Sequence, residues 1–156
     1  MVVYFLRHAE AVSYARTDFD RNLTAKGQDQ AKTVGQFCAK HEICPDVILT
    51  SPAVRAMETA TIVGELIGVR VEVEPFLTIG MSCEEGMDGL AKRENYKAIM
   101  IVGHEPGFSE LIAKLTGMRH SEQLRIRKAS LTEVELSAVE PGFGVLQYTI
   151  PVRLMK

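Results

Sequence analysis

The sequence has few cysteines and no pattern among them. Its 156 residues include three cysteines, Cys38, Cys44 and Cys83, and no Cys-x-x-Cys pair. An odd number without regular spacing argues against the disulfide framework of small secreted domains, and the missing pair argues against a zinc site. We interpret the cysteines as small buried side chains or free thiols. This pattern predicts a protein of the reducing cytoplasm.

The sequence also lacks a strong charge imbalance and a long apolar run. A net charge of −2 gives no electrostatic reason to expect nucleic-acid binding. The apolar start "MVVYFL" is too short for a signal peptide or a membrane span, so we expect no membrane association. With 46% hydrophobic and 24% charged residues, the composition predicts a single domain over residues 1–156 with a substantial core. No long apolar helix face indicates a large interface, so we expect a monomer.

Apolar runs alternate with helical patterns along most of the chain. Strands are predicted at 2–7, 46–51 and 97–104, with an exposed or edge strand in "VRVEVEP" and two final strands in "SLTEVEL" and "GVLQYTIPV". Helices are predicted from near Gly27, from Pro52 to a stop at Gly68, over about 84–94, and from Pro106. This order predicts an α/β three-layer sandwich with a mostly parallel sheet and helices on both faces.

Nitrogen-rich side chains follow three of the predicted strands. Arg7 and His8 end the first strand, Arg55 lies in the first turn of the helix after the second, and His104 follows the third. Taken singly, each histidine is more often structural than catalytic. Because the carboxyl ends of parallel strands meet at one edge of a sheet, we expect these four side chains to converge there.

A cluster of such groups is unfavourable unless an anion or a carboxylate lies among them. Two predicted helix N-termini add positive ends nearby, and the guanidinium fork binds phosphate through two hydrogen bonds. A neutral imidazole can attack phosphorus, and a second can stabilise the transition state. The arginines would neutralise the phosphoryl oxygens without a metal. The pattern therefore predicts a phosphoryl-transfer site that needs neither metal nor cofactor.

Four blocks, in order along the chain, make the sequence resemble the histidine phosphatase superfamily. These blocks are "FLRHAEA", "NLTAKGQDQA", "ILTSPAVRAMETA" and "IVGHEPGFSEL". The small size and the "VGHEPG" form look most like the SixA-type branch, the phosphohistidine phosphatases. The resemblance implies a phosphoglycerate mutase-like fold and a covalent phosphohistidine mechanism. It also implies that His8 is the nucleophile, that Arg7 and Arg55 bind phosphate, and that His104 stabilises the transition state.

The residue that protonates the leaving group is open at this point. Some members of the family place an Asp directly after the second histidine, where this chain has Glu105. Others use a Glu from the loop after the edge strand, where this chain has Glu84 and Glu85. For each of these residues we favour the interpretation as a surface or first-turn carboxylate, so we assign no proton donor. An imidazole leaving group needs less acid assistance than an alkoxide, so a phosphatase of phosphohistidine can also work without such a residue.

Three functions follow from these observations. The leading hypothesis is a phosphatase that removes phosphate from phosphohistidine in a protein, because few residues are available to form a cap over the pocket. A phosphatase of a small phosphomonoester is the alternative within the same enzyme class. A non-catalytic phosphate-binding module is the alternative outside it, although binding alone does not need a neutral nucleophile.

Overall fold

A computed structural model describes residues 1–155 of the chain, and it has ten helices and strands that position the site. The strands are β1 (Val2–Arg7), β2 (Val47–Thr50), β3 (Val71–Val73), β4 (Ala98–Gly103), β5 (Leu131–Leu136) and β6 (Gly144–Ile150). The helices are α1 (Ala25–Lys40), α2 (Val54–Ile67), α3 (Cys83–Ala91) and α4 (Gly107–Thr116).

The six strands form one sheet in the order β3-β2-β4-β1-β5-β6. Neighbouring strands among the first four are parallel, and β5 and β6 are antiparallel at one edge. β1 and β4 are adjacent, and Arg7 lies opposite Gly103 in their register. The next residue of each strand therefore falls at the same level, which brings His8 and His104 to one edge of the sheet.

The helices cover both faces of the sheet. Along β1, Val3 and Phe5 pack into a core with residues of α3 and α4, and Leu6 packs on the opposite face against α1 and α2. Burial on both faces explains why most of β1 is a continuous apolar run. The predicted three-layer α/β sandwich with a mostly parallel sheet is confirmed.

Local signals set the helix boundaries. Thr24 caps α1 by accepting the N–H of Gly27 through its hydroxyl at 3.0 Å, and Gly68 ends α2 in the left-handed conformation, with φ of 69°. The helix predicted from Pro52 begins two residues later, at Val54. Among residues 1–155, none of the helices has both the length and the apolar character needed to cross a bilayer.

Candidate active site

The two histidines lie beside each other at the carboxyl edge of β1 and β4. The N–H of His8 donates to the carbonyl of Gly103 at 3.0 Å, which fixes the backbone of His8 against β4. The imidazole centroids of His8 and His104 are 5.1 Å apart, and each residue is 6% exposed. The two imidazoles are thus largely shielded from water.

The hydrogen bonds of His8 assign its tautomer. Nδ1 lies 2.7 Å from the carbonyl oxygen of Ala9, which can only accept, so the proton sits on Nδ1. Nε2 accepts from Nε–H of Arg55 at 3.3 Å. The unprotonated nitrogen of His8 is therefore the one that lies beside a guanidinium.

The surroundings also keep His8 neutral. The pKa of His8 is lowered to about 3, mainly by burial; the hydrogen bond to Ala9 opposes this change, and His104, Arg55 and Arg7 add to it. A neutral imidazole with an unprotonated ring nitrogen is the form that can act as a nucleophile.

His104 is held by Ser51, which follows β2. Nε2 of His104 lies 2.8 Å from Oγ of Ser51, and that oxygen also accepts the N–H of Ala53 at 3.2 Å. Nδ1 of His104 lies 3.5 Å from Nη2 of Arg55. Burial, followed by the charge of Arg55, lowers the pKa of His104 to about 4. Because a guanidinium can only donate, Nδ1 of His104 accepts from Arg55, and the proton of His104 lies on Nε2, which donates to Oγ of Ser51.

Arg55 bridges the two histidines from the first turn of α2. It is 4% exposed, and its side chain also contacts Asp18, a residue of the loop before α1. Nη1 donates to the Asp18 carbonyl at 2.7 Å, and Nη2 lies 3.1 Å from the carboxylate. The pKa of Asp18 is lowered, first by its hydrogen bond with Arg21 and then by Arg55. Asp18 thus positions the guanidinium and balances part of its charge.

Arg7 is anchored from the loop before β5. Its Nη1 donates to the carbonyl of Ile126 at 2.8 Å. Its Nε is buried and has no hydrogen-bond partner within residues 1–155. Burial lowers the pKa of Arg7 while Glu105 opposes that change. Arg7 therefore keeps an unused donor near the histidines.

The three glutamates differ in their surroundings. Burial raises the pKa of Glu105, although its carboxylate accepts the N–H of Ser109 at 3.1 Å. Glu85 forms a capping box with Ser82 at the start of α3, and its hydrogen bonds to Ser82 lower its pKa. Glu84 is an exposed residue in the same turn. Of the three, Glu105 is the one next to the site with a raised pKa.

The structure brings together all four predicted site residues, Arg7, His8, Arg55 and His104. Sequence reasoning missed two further residues that hold them. Asp18 lies in a polar loop without periodicity, so no local signal distinguishes it from its neighbours. Thr59 accepts the N–H of Ala9 at 3.1 Å and donates to the Arg55 carbonyl at 2.7 Å. Its place one helical turn after Arg55, on the same face of the predicted helix, was an available signal.

This geometry resembles that of one known family. The sequence profile of the histidine phosphatase superfamily (branch 1) matches residues 3–78, which include Arg7, His8 and Arg55 but end before His104. A phosphohistidine phosphatase SixA homolog from Haemophilus influenzae is 33% identical over 131 residues, covering 77% of this chain and 80% of the relative. The chain belongs to the histidine phosphatase superfamily. As a member of that family, it is a phosphatase.

Solved structures of the superfamily share the whole fold. The protein histidine phosphatase SixA, complexed with tungstate, covers 100% of both chains with a TM-score of 0.91 at 23% identity. The α-ribazole phosphatase from Shigella flexneri covers 97% of both chains with a TM-score of 0.81 at 19% identity. The same superfamily fold thus occurs in proteins named for different substrates, so the fold alone does not select the substrate.

Proposed function

We propose that this phosphatase removes phosphate from phosphohistidine side chains of proteins through a covalent phosphohistidine intermediate on His8. The observation that carries this proposal is the neutral His8, whose Nε2 lone pair lies beside Arg55 while its proton is held by the Ala9 carbonyl. Pure phosphate binding would require the arginines but no such nucleophile.

In the first step, Nε2 of His8 attacks phosphorus. A new P–N bond forms on His8 while the bond from phosphorus to the substrate imidazole breaks. That imidazole already carries a proton on its other ring nitrogen, so it takes the electron pair of the broken bond and leaves as neutral imidazole. Arg7 and Arg55 stabilise the charge on the equatorial oxygens, and the ring N–H of His104 donates to one of them. The unused Nε–H of Arg7 would find an acceptor in a phosphoryl oxygen.

In the second step, water attacks the phosphoryl group on His8. The P–N bond breaks, inorganic phosphate leaves, and His8 returns to the neutral tautomer. Arginine side chains supply the charge that a metal supplies elsewhere, so we expect chelators to leave the activity unchanged. The SixA structure is a complex with tungstate, a tetrahedral oxyanion, which supports an oxyanion as the ligand of this chain.

Two features support a protein substrate. Only the short segment that contains α3 lies between β3 and β4, and α3 packs against α4, where Gly86 lies against Leu111, which leaves few residues for a cap over the strand ends. The relative from Haemophilus influenzae also bears the name of a phosphohistidine phosphatase. An open site accommodates a side chain that projects from a folded protein.

A small phosphomonoester is the second candidate substrate, and Glu105 is the observation that favours it. A carboxyl group with a raised pKa next to His104 can protonate a leaving alkoxide, which phosphohistidine does not require.

A substrate panel with a trapping experiment tests the proposal. Brief incubation with a labelled phosphohistidine protein should leave an acid-labile phosphoryl group on the wild type and none on His8→Ala. His104→Ala should lower kcat by on the order of a hundredfold or more, as expected for a lost transition-state donor. Faster turnover of a sugar phosphate than of phosphohistidine would exclude the protein substrate. Retained activity in His8→Ala would exclude the covalent mechanism.

A further inference from the structure

A cleft of about 460 Å³ shares Arg7 with the active site. We call it the basic groove and define it by its charged lining residues Arg7, Glu10, Lys26, Arg127, Lys128 and Arg153. These residues come from four parts of the chain: the end of β1 with the turn after it, the start of α1, the loop before β5, and the C-terminal segment. The groove is therefore a feature of the tertiary structure that continues from the phosphate-binding arginine.

The charge of the groove is one-sided. Five of its six charged residues are cationic, although the whole chain carries a net charge of −2. Its one carboxylate, Glu10, is already paired with Lys26 at 2.9 Å, and hydrogen bonds from Lys26 and Thr24 lower its pKa. Within residues 1–155, the exposed side chains of Arg127 and Arg153 form no salt bridge. Such a cluster attracts a negatively charged partner.

The exposure of these cations indicates the kind of partner. Arg127, Arg153 and Lys26 are all exposed, and their long side chains extend from separate segments. A site for a small anion holds its ligand with a few converging groups in a concave pocket. Exposed charges spread along a groove instead steer and orient an extended charged surface.

We propose that the basic groove binds an acidic segment of the substrate protein, next to the phosphorylated side chain that enters the active site. This inference rests on the proposed function, because it assumes that the phosphorylated group belongs to a polypeptide. Carboxylates of the partner would lie against Arg127, Lys128 and Arg153, and Arg7 would join this contact to the bound phosphoryl group.

Two synthetic phosphohistidine peptides test the inference. They differ only in the flanking residues, which are aspartates in one peptide and asparagines in the other, and p-nitrophenyl phosphate serves as a small substrate. For Arg127→Glu/Arg153→Glu we expect kcat/KM for the aspartate peptide to fall on the order of tenfold. Electrostatic steering by charged side chains changes association rates about tenfold or more. We expect kcat/KM for the asparagine peptide and for p-nitrophenyl phosphate to change by less than about twofold, because charges outside the reacting site act mainly on association with a charged partner.

The matched control is Lys97→Glu/Arg119→Glu. Lys97 precedes β4 and Arg119 follows α4, so both exposed residues lie toward the edge of the sheet opposite the active site. Each double variant exchanges two cations for two carboxylates and therefore has the same net charge. The control should keep the preference for the aspartate peptide. High salt should remove that preference in the wild type, because the screening length falls from about 10 Å at 0.1 M to about 3 Å at 1 M.

Several outcomes would contradict the proposal that the basic groove binds an acidic segment. Equal turnover of both peptides by the wild type, or equal losses in both double variants, would exclude a specific acidic contact. An equal loss of activity on p-nitrophenyl phosphate would place the two arginines in the phosphate site itself.

A binding experiment with a fluorescently labelled, unphosphorylated form of the aspartate peptide tests the basic groove independently of turnover. If the wild type cleaves p-nitrophenyl phosphate but neither peptide, the proposed function fails. Loss of peptide binding in Arg127→Glu/Arg153→Glu alone would then still support the groove, and unchanged binding would exclude it.

Discussion

At the scale of single residues, burial determines which side chains of the site are charged. The sequence places four potentially cationic side chains together, and their mutual repulsion requires an anion or a carboxylate among them. The structure relieves most of that repulsion without one: burial keeps His8 and His104 neutral, and Asp18 pairs with Arg55. The same neutrality leaves His8 with the lone pair that a nucleophile needs.

Glu105→Gln tests whether Glu105 protonates a leaving alkoxide. The exchange removes the proton that Glu105 can supply and keeps the size of the side chain. We expect kcat on an alkyl phosphomonoester to fall by roughly 10²–10⁴, the usual contribution of a general acid. We expect little change on p-nitrophenyl phosphate, whose leaving group needs no proton.

The measurement is steady-state turnover of both substrates by the wild type and the variant. Glu85→Gln is the matched control, because Glu85 serves the capping box of α3 and not the site. If Glu105→Gln lowers both activities equally, its role is to position other groups and not to protonate the leaving group.

At the scale of elements, the start of α1 holds the segment that follows His8. Gly27 lies so close to this segment that an added Cβ would be 1.9 Å from the Glu10 carbonyl oxygen. The capping residue Thr24 also donates to the Glu10 carboxylate at 3.0 Å. Glycine at this position is thus required by a close approach of two backbones, and the contact fixes the turn after the active-site histidine.

Gly27→Ala should therefore destabilise the protein by roughly 1–3 kcal/mol, as overpacking does, even though alanine favours a helix. Gly35→Ala is a matched control in the same helix. Its new Cβ would meet the partly exposed side chain of Leu66, which can move away. Urea unfolding of both variants checks the prediction, and an equally stable Gly27→Ala would contradict the tight contact.

At the scale of the whole molecule, stability is linked to the protonation of the site. The folded pKa values of His8 and His104, about 3 and about 4, lie below the ordinary value of 6.5. Below pH 6.5 the unfolded chain binds protons that the folded chain excludes, so acid favours unfolding. The stabilisation is complete above pH 6.5 and is lost as the pH falls toward the folded pKa values.

We expect the free energy of unfolding to fall by up to about 1.4 kcal/mol per pH unit for each histidine between pH 6.5 and 5. Urea unfolding at several pH values measures this slope. The variant His8→Asn, which lacks one of the two groups, should have a shallower slope than the wild type over the same range. Identical slopes would mean that His8 is protonated in the folded protein near its ordinary pKa.

The sequence by itself determined the sheet, its parallel core strands and the four residues that meet at its edge. Continuous apolar runs are local patterns, and the carboxyl ends of parallel strands share one edge whatever the details of packing. The prediction of Arg7, His8, Arg55 and His104 as neighbours therefore required only the strand assignment.

Only the tertiary structure decided which contacts hold these residues and how the pKa values of the histidines are shifted. Asp18 and the carbonyl of Ile126 hold the two arginines from loops that have no periodicity, and Ser51 contacts His104 only because β2 and β4 are adjacent. The lowered pKa of each histidine arises from burial by residues far apart in the chain. Burial and contacts between distant loops depend on how the elements pack, and a linear pattern does not contain that information.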